Sequence, residues 1–187
     1  MIRIVAAEEA DIHRILEIER EAIAPPWSRE AIFSEISRGD SFFAVARGEF
    51  GTGEFGIRNS EFRIIDTEAG IQRAELLDGC AGKHGTAILG FVILRRIGGD
   101  GELLQIAVDR IARRCGVADL LMTAALRYAD DAGLDQVFLE VRGSNDAAIS
   151  LYKKHGFKFV RLRKGYYRDP TEDAVVMVRT PTILYIH

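Results

Sequence analysis

The run Val108-Asp109-Arg110-Ile111-Ala112-Arg113-Arg114-Cys115-Gly116-Val117-Ala118 lies where a short apolar segment gives way to a long amphipathic one. At such a junction the first helical turn offers free N–H groups and the positive end of the helix dipole, and together these bind anions. Gly116 lets the backbone approach a ligand, and Ala118 leaves the next turn open. Arg110, Arg113 and Arg114 supply three positive charges against the one negative charge of Asp109. The pattern suits a phosphate or pyrophosphate; it also fits an ordinary strand-to-helix loop with solvated arginines. It is neither a Walker loop, because no Gly-Lys-Ser/Thr follows, nor a G-x-G-x-x-G turn.

Further candidates flank this run. Glu140 is a carboxylate in an otherwise apolar strand, on the face shared by Phe138 and Arg142. Partial burial raises the pKa of a carboxyl, as a base working near neutral pH requires. The alternative is a solvated glutamate or one paired with Arg142. Glu102, which begins the strand before the arginine-rich turn, is a second carboxylate. Tyr152, near the end of a short helix, is either a phenol available for proton transfer or a packed core tyrosine. Cys115 sits among arginines, a setting that favours a thiolate. The histidines at 13, 84, 155 and 187 form no metal-ligand spacing with Cys80 or Cys115, so no metal is expected.

These residues need a scaffold. Ile2–Val5 reads as a first strand, and Glu8–Ile23 as a helix with apolar positions Ile12, Ile15, Leu16 and Ile18, stopped by Pro25-Pro26. Ser28 caps a second helix through Ile36 that ends at Gly39, and Ser41–Ala46 is a strand. From Arg47 to Gly85 the chain holds eight of its 18 glycines and no sustained period, with a short strand only at Phe62–Ile65. About forty residues is far beyond ordinary loop length, so this is an insertion, a hairpin extension or a mobile flap. Strands follow at Thr86–Arg95 and Glu102–Val108. The stripe Val117, Leu120, Leu121, Ala124, Tyr128, Ala132 then makes a helix from Gly116 to Asp131, with Gly133 as its cap. Gln136–Arg142 is a strand, Ser144 caps a short helix ending at His155-Gly156, and Phe157–Arg163 and Asp173–Arg179 are two more strands. The order is α/β with a mixed sheet.

Composition bounds the class. The 187 residues fit one domain, large enough to fold without disulfide or metal staples. Lys plus Arg number 25 and Asp plus Glu 28, a net charge of −3, which argues against DNA binding through overall charge. Two cysteines fit a reducing cytoplasm, and no signal peptide or bilayer-length apolar segment is present. The expectation is a cytoplasmic protein with no DNA or membrane partner.

Arg113-x-x-Gly116-x-Ala118 matches the Q/R-x-x-G-x-G/A acetyl-CoA motif of the GNAT superfamily of N-acetyltransferases. The run Leu139-Glu140-Val141-Arg142-Gly143-Ser144-Asn145 through Leu151-Tyr152, with Gly156-Phe157, resembles one branch, the bacterial ribosomal-protein-alanine N-acetyltransferases. Pro26-Trp27-Ser28, Tyr166-Tyr167 and Glu172-Asp173-Ala174 are similar to that branch as well. The likeness covers nearly all the chain except Arg47–Gly85 and the last few residues. Gln105 stands where the branch has Asn, Gly143 where it has Ala, and Lys164-Gly165 where it has Arg-Asn; Cys115 is unusual in the motif.

The resemblance implies a single acetyltransferase domain with a mostly antiparallel mixed sheet, flanked by helices and splayed between the strands near 102–108 and 136–142. It implies acetyl-CoA as cofactor. Peptide groups of Ile106, Ala107 and Val108 would bind the pantetheine arm and thioester, and a backbone N–H there would stabilise the oxyanion. Arg113, Arg114, Cys115, Gly116, Val117 and Ala118 would hold the pyrophosphate. Asn145 would contact the cofactor or serve as a plain helix cap. Glu140 would be the general base, and Tyr152, with a phenol pKa of about 10, would protonate a departing thiolate of about 8.5. Trp27, Tyr166 and Tyr167 would grip the acceptor, with Glu102 as reserve base or substrate contact.

The acceptor implied is a protein N-terminal α-amine, as in a ribosomal protein. An α-amine ionises near 7.8 and lysine near 10.4, so deprotonating lysine costs about 3.5 kcal/mol more, which suits a modest base to an N-terminus. Two alternatives stay open: a small-molecule amine as acceptor, and a non-catalytic acyl-CoA-binding module.

Overall fold

The computed structural model describes residues 2–23, 25–50, 62–66, 72–76 and 85–181. In chain order the strands are β1 (Ile2–Ala6), β2 (Ser41–Phe50), β3 (Phe62–Asp66), β4 (Gln72–Leu76), β5 (Gly85–Ile97), β6 (Asp100–Val108), β7 (Val137–Arg142), β8 (Lys158–Arg168) and β9 (Thr171–Arg179). The helices are α1 (Ile12–Ala22), α2 (Arg29–Ile36), α3 (Val117–Asp131) and α4 (Asp146–Lys154). Among the described residues the strands form one sheet in the order β3-β4-β1-β2-β5-β6-β7-β9-β8. Only the β6–β7 pair is parallel.

Helices cover both faces. Ile12, Ile15 and Ile18 of α1 and Ile32 of α2 pack on Phe43, Val45, Phe91, Ile93 and Ala107. On the other face Leu121, Met122 and Ala125 of α3 and Tyr152 of α4 pack on Val92, Leu94, Leu103, Leu139 and Met177. Each of the larger of these side chains contributes roughly 1.5–3 kcal/mol by leaving water. Acid–arginine ties fix α1 and α2 to the sheet: Asp11 accepts from Arg47 at 2.8 and 2.9 Å, and buried Glu35 accepts from Arg95.

Several expected boundaries move. The helix expected from Glu8 opens with a 3₁₀ turn at Glu9–Asp11 before α1 begins. Asn145, and not Ser144, caps α4, accepting from the Ala148 N–H at 3.1 Å; the Ser144 N–H instead donates to Glu172. The β2–β5 ladder runs out to Phe50–Gly85, well into the glycine-rich surplus. A Cβ at Gly48 would lie 2.5 Å from Leu89 Cδ1, so a larger residue there would oblige the Leu89 side chain to shift. Of the readings for Arg47–Gly85, the hairpin extension fits: β3 and β4 pair with each other, and β4 adds to the edge of β1 at Ile2–Ala74 and Arg3–Arg73. Residues 51–61, 67–71 and 77–84, on which the flap reading partly falls, lie outside the described residues, as do Cys80, His84 and His187.

Candidate functional site

The site begins where two strands part. β6 and β7 pair only at Gly101–Val137, Glu102–Phe138 and Leu103–Leu139. Beyond this point Gln105–Val108 keep β5 as partner and Glu140–Arg142 keep β9. The register against β5 skips Leu104, so a bulge lies at the fork; a bulge raises local twist and turns a strand away from its neighbour. Ile106, Ala107 and Val108 therefore line one side of a gap whose other side carries Glu140.

At the end of β6 the Asp109 N–H donates to the Leu89 carbonyl at 2.8 Å, and the Asp109 carboxylate caps a short 3₁₀ turn through the Ile111 N–H at 3.0 Å. Asp109 also pairs with Arg14 of α1, so its negative charge faces α1 and does not offset the arginine-rich turn. Arg114 and Gly116 adopt positive φ, 66° and 77°. No side chain caps α3, so the N–H groups of Val117, Ala118 and Asp119 lie in its first turn without intrahelical acceptors. Arg110, Arg113 and Arg114 are exposed around them, and Arg113 Nε donates to the Val108 carbonyl at 3.3 Å. Cys115 is half-buried, its thiol 3.5 Å from the Arg113 carbonyl. Asp119, the acid in this first turn, is tied off by Lys154 at 2.8 Å and His155 at 2.9 Å. Burial pushes its carboxyl up, but those two hydrogen bonds outweigh it and hold the group below its ordinary value.

Glu140 lies on the α1/α2 side of the sheet. Its neighbour is neither bulk solvent nor Arg142, the two alternatives read from sequence: Arg163 Nη1 lies 2.5 Å from Glu140 Oε1. Arg142 is occupied elsewhere, reaching the carbonyls of Asp169 and Pro170 and the carboxylate of Glu172, with its guanidinium 4.1 Å from the Tyr167 ring centroid. The nearby Glu140 carboxylate, with burial next, raises the Tyr166 phenol pKa. Tyr152 is 7% exposed and packs on Phe157 at 5.9 Å between centroids. Burial pushes its phenol well up, with a smaller contribution from nearby Tyr167.

The two tyrosines owe their aim to an irregular strand. Between Arg163–Ala174 and Tyr167–Glu172, β8 has three residues opposite the single Asp173. Gly165 takes φ +60° in this bulge, and its N–H donates to Asp173 at 2.8 Å. The departure at this position is thereby explained, because glycine and the asparagine of the resembled branch are the residues that tolerate left-handed backbone. Tyr166 and Tyr167 meet edge to face at 5.1 Å, and Arg163 stacks over Tyr166 at 4.2 Å.

Sequence reasoning missed Glu19. This carboxylate is wholly buried in α1, and its Oε1 accepts from the Trp27 N–H and from Gln105 Nε2, each at 2.9 Å. It joins the Trp27 turn to the β6 bulge. Glu19 falls four residues after Ile15 and seven after Ile12, on the apolar stripe itself, and that was the available signal. Trp27 is half-buried against the α1 core. Glu102, half-buried at the fork, lies near enough to Tyr166 to contribute the smallest of the influences on its phenol.

Among the described residues no group of three or more His, Cys, Asp or Glu side chains could hold a metal. No helix there is long and apolar enough to cross a membrane.

The chain is 29% identical over 175 residues to the [ribosomal protein bS18]-alanine N-acetyltransferase of Haemophilus influenzae, spanning 91% of this chain and 92% of that one. Over 80 residues it is 44% identical to an N-alpha-acetyltransferase of Saccharolobus solfataricus, an alignment covering 42% of this chain and 47% of the relative. The fold superposes on the crystal structure of the ribosomal-protein-S18-alanine N-acetyltransferase from Escherichia coli with a TM-score of 0.70 at 24% identity, over 100% of this chain and 99% of the other. Residues 12–157 match the Acetyltransferase (GNAT) family, and the chain belongs to that family.

Proposed function

We propose that the chain transfers an acetyl group from acetyl-CoA to the α-amine of a polypeptide, as its ribosomal-protein-alanine relatives do by name. The observation that carries this reading is the fork between β6 and β7. One gap opens onto both an uncapped helix N-terminus and a carboxylate held by Arg163 beside Tyr166.

The residues present fit acetyl-CoA. The first turn of α3, entered through left-handed Arg114 and Gly116, presents orphan N–H groups among Arg110, Arg113 and Arg114, a donor set suited to a pyrophosphate. Past Leu103 the β7-side edge of β6 is open, so peptide groups of Ile106, Ala107 and Val108 suit an extended pantetheine arm. Asn145 uses Oδ1 as a cap, which leaves its amide N–H groups for a ligand. Bound acetyl-CoA supplies an acyl group activated as a thioester.

This chain's residues do the rest. Glu140 takes the proton of the acceptor amine, directly or through water, while Arg163 balances its charge. Tyr152, kept protonated by burial, holds a proton for the leaving sulfur. N–H groups of β6 donate to the acyl oxygen as charge develops on it. Trp27, Tyr166 and Tyr167 wall the acceptor entrance, and Glu102 lies beside it. The test is thiol release from acetyl-CoA with a panel of N-terminal peptides, an Ala-start ribosomal peptide included, beside polyamines and aminoglycosides. Turnover with peptides is expected; turnover with a small amine alone would overturn the reading.

A further inference from the structure

β8 forms the outer edge of the sheet, and its composition differs from the rest of the chain. Lys158–Arg168 carries Lys158, Arg161, Arg163, Lys164 and Arg168 and no acid, within a chain of net charge −3. The ladders fix which of these share the face of Glu140. Lys158 is level with Val178 and Phe138, Arg161 with Val176 and Glu140, and Arg163 with Ala174 and Arg142. Directly opposed residues project to the same side of a sheet, so Lys158, Arg161 and Arg163 stand on the acceptor face. Arg163 is spent on Glu140. Lys158 and Arg161 are exposed and have no acidic partner among the described residues. Two strand spacings separate Arg161 from Glu140, about 10 Å, and an extended chain covers that distance in about three residues.

We propose that Lys158 and Arg161 form a subsite for an acidic side chain near the third residue of the acceptor polypeptide. This rests on the reading of the site as an N-terminal acetyltransferase. Edge strands do carry charges to discourage pairing with other chains, but that purpose is met by either sign and on either face. Here one sign is concentrated on the face and at the level of the carboxylate that receives the acceptor. An RNA partner would need a wider field of cations than this short row provides.

The experiment compares kcat/KM for peptide pairs that share an N-terminal Ala and differ only in Glu or Lys at position three. It uses the full chain and the K158E/R161E double variant, at low and high salt. The expected result is about a tenfold preference for the Glu peptide, weakened by salt and inverted in the double variant. A preference that is absent, or that survives charge reversal, overturns the proposal. If no peptide turns over, the reading of the reaction fails separately, and binding of the same labelled peptides by fluorescence anisotropy still decides the subsite by the same two criteria. Inhibition by a short RNA that depends on Lys158 and Arg161, with no difference between the peptides, assigns the row to nucleic acid and also overturns it.

Discussion

Arg163 reaches across the full width of β9 to place its guanidinium 2.5 Å from the Glu140 carboxylate, and the same guanidinium lies 4.2 Å from the Tyr166 ring centroid. The charge at the centre of the site is thus held by Arg163 and flanked by Tyr166, both from a single bulged strand. Replacing Glu140 with Gln removes the negative charge that disfavours the Tyr166 phenolate. The Tyr166 phenol pKa then falls towards its ordinary value of about 10, read as an earlier phenolate absorbance in a pH titration. Acetyl transfer slows by at least about 10²-fold while acetyl-CoA binding stays near normal. An unchanged rate would remove Glu140 from its role.

Trp27 is the one tryptophan of the chain, so its emission reports directly on the turn that Glu19 holds. Glu19→Leu leaves the Trp27 N–H and the Gln105 amide without their acceptor, at a cost of about 1–3 kcal/mol for each buried group. The Trp27 emission should move to longer wavelength and acceptor KM should rise about tenfold or more. Glu19→Gln keeps a carbonyl acceptor and should recover much of both. Emission and KM at wild-type values in Glu19→Leu would show that the turn is held by other means.

Gly116 at φ 77° is the hinge between the arginine-rich turn and α3. An L side chain there costs about 1–2 kcal/mol of backbone strain, and Gly116→Asp adds a negative charge where a pyrophosphate is to bind. Acetyl-CoA Kd is expected to rise at least about tenfold by calorimetry, with the far-UV spectrum unchanged. A Kd equal to wild type would refute the cradle.

Tyr152 and Asp119 each contribute to the response of stability to pH. Tyr152 has a raised pKa in the fold, so its contribution is complete below the unfolded value of about 10 and is lost as pH climbs towards the folded value. Denaturant midpoints should fall above pH 10, and Tyr152→Phe should flatten that fall. Asp119 has a lowered pKa, so its contribution is present above the unfolded value of 3.8 and disappears as pH drops through the folded one. Asp119→Ala should lower the midpoint at neutral pH and narrow its difference from wild type in acid. Parallel curves for either pair would contradict the assignment.

Much of this scaffold could be read from local pattern. The α3 stripe and the Pro25-Pro26 stop depend on neighbours in sequence, so periodicity and breakers find them. What escaped depends on distant partners. β8 reads as ending at Arg163 because a bulge and a left-handed Gly165 interrupt its alternation, and only the ladder with β9 carries it to Arg168. β4, short and polar, gains its place from pairing with β3 and β1. Glu19 looks like one more helix acid until Gln105, 86 residues away, closes over it. Arg163 was not among the candidates, since nothing near Glu140 in sequence foretells a partner 23 residues downstream.

The most direct test locates the acetyl group itself. A peptide with a free N-terminal Ala and an internal lysine is incubated with the chain and acetyl-CoA, and the product is sequenced by tandem mass spectrometry. The acetyl group should be found on the α-amine, with Glu140→Gln and Tyr152→Phe each forming product far more slowly. Acetyl on the lysine, or no peptide product while a polyamine is acetylated, would contradict the assignment of the acceptor.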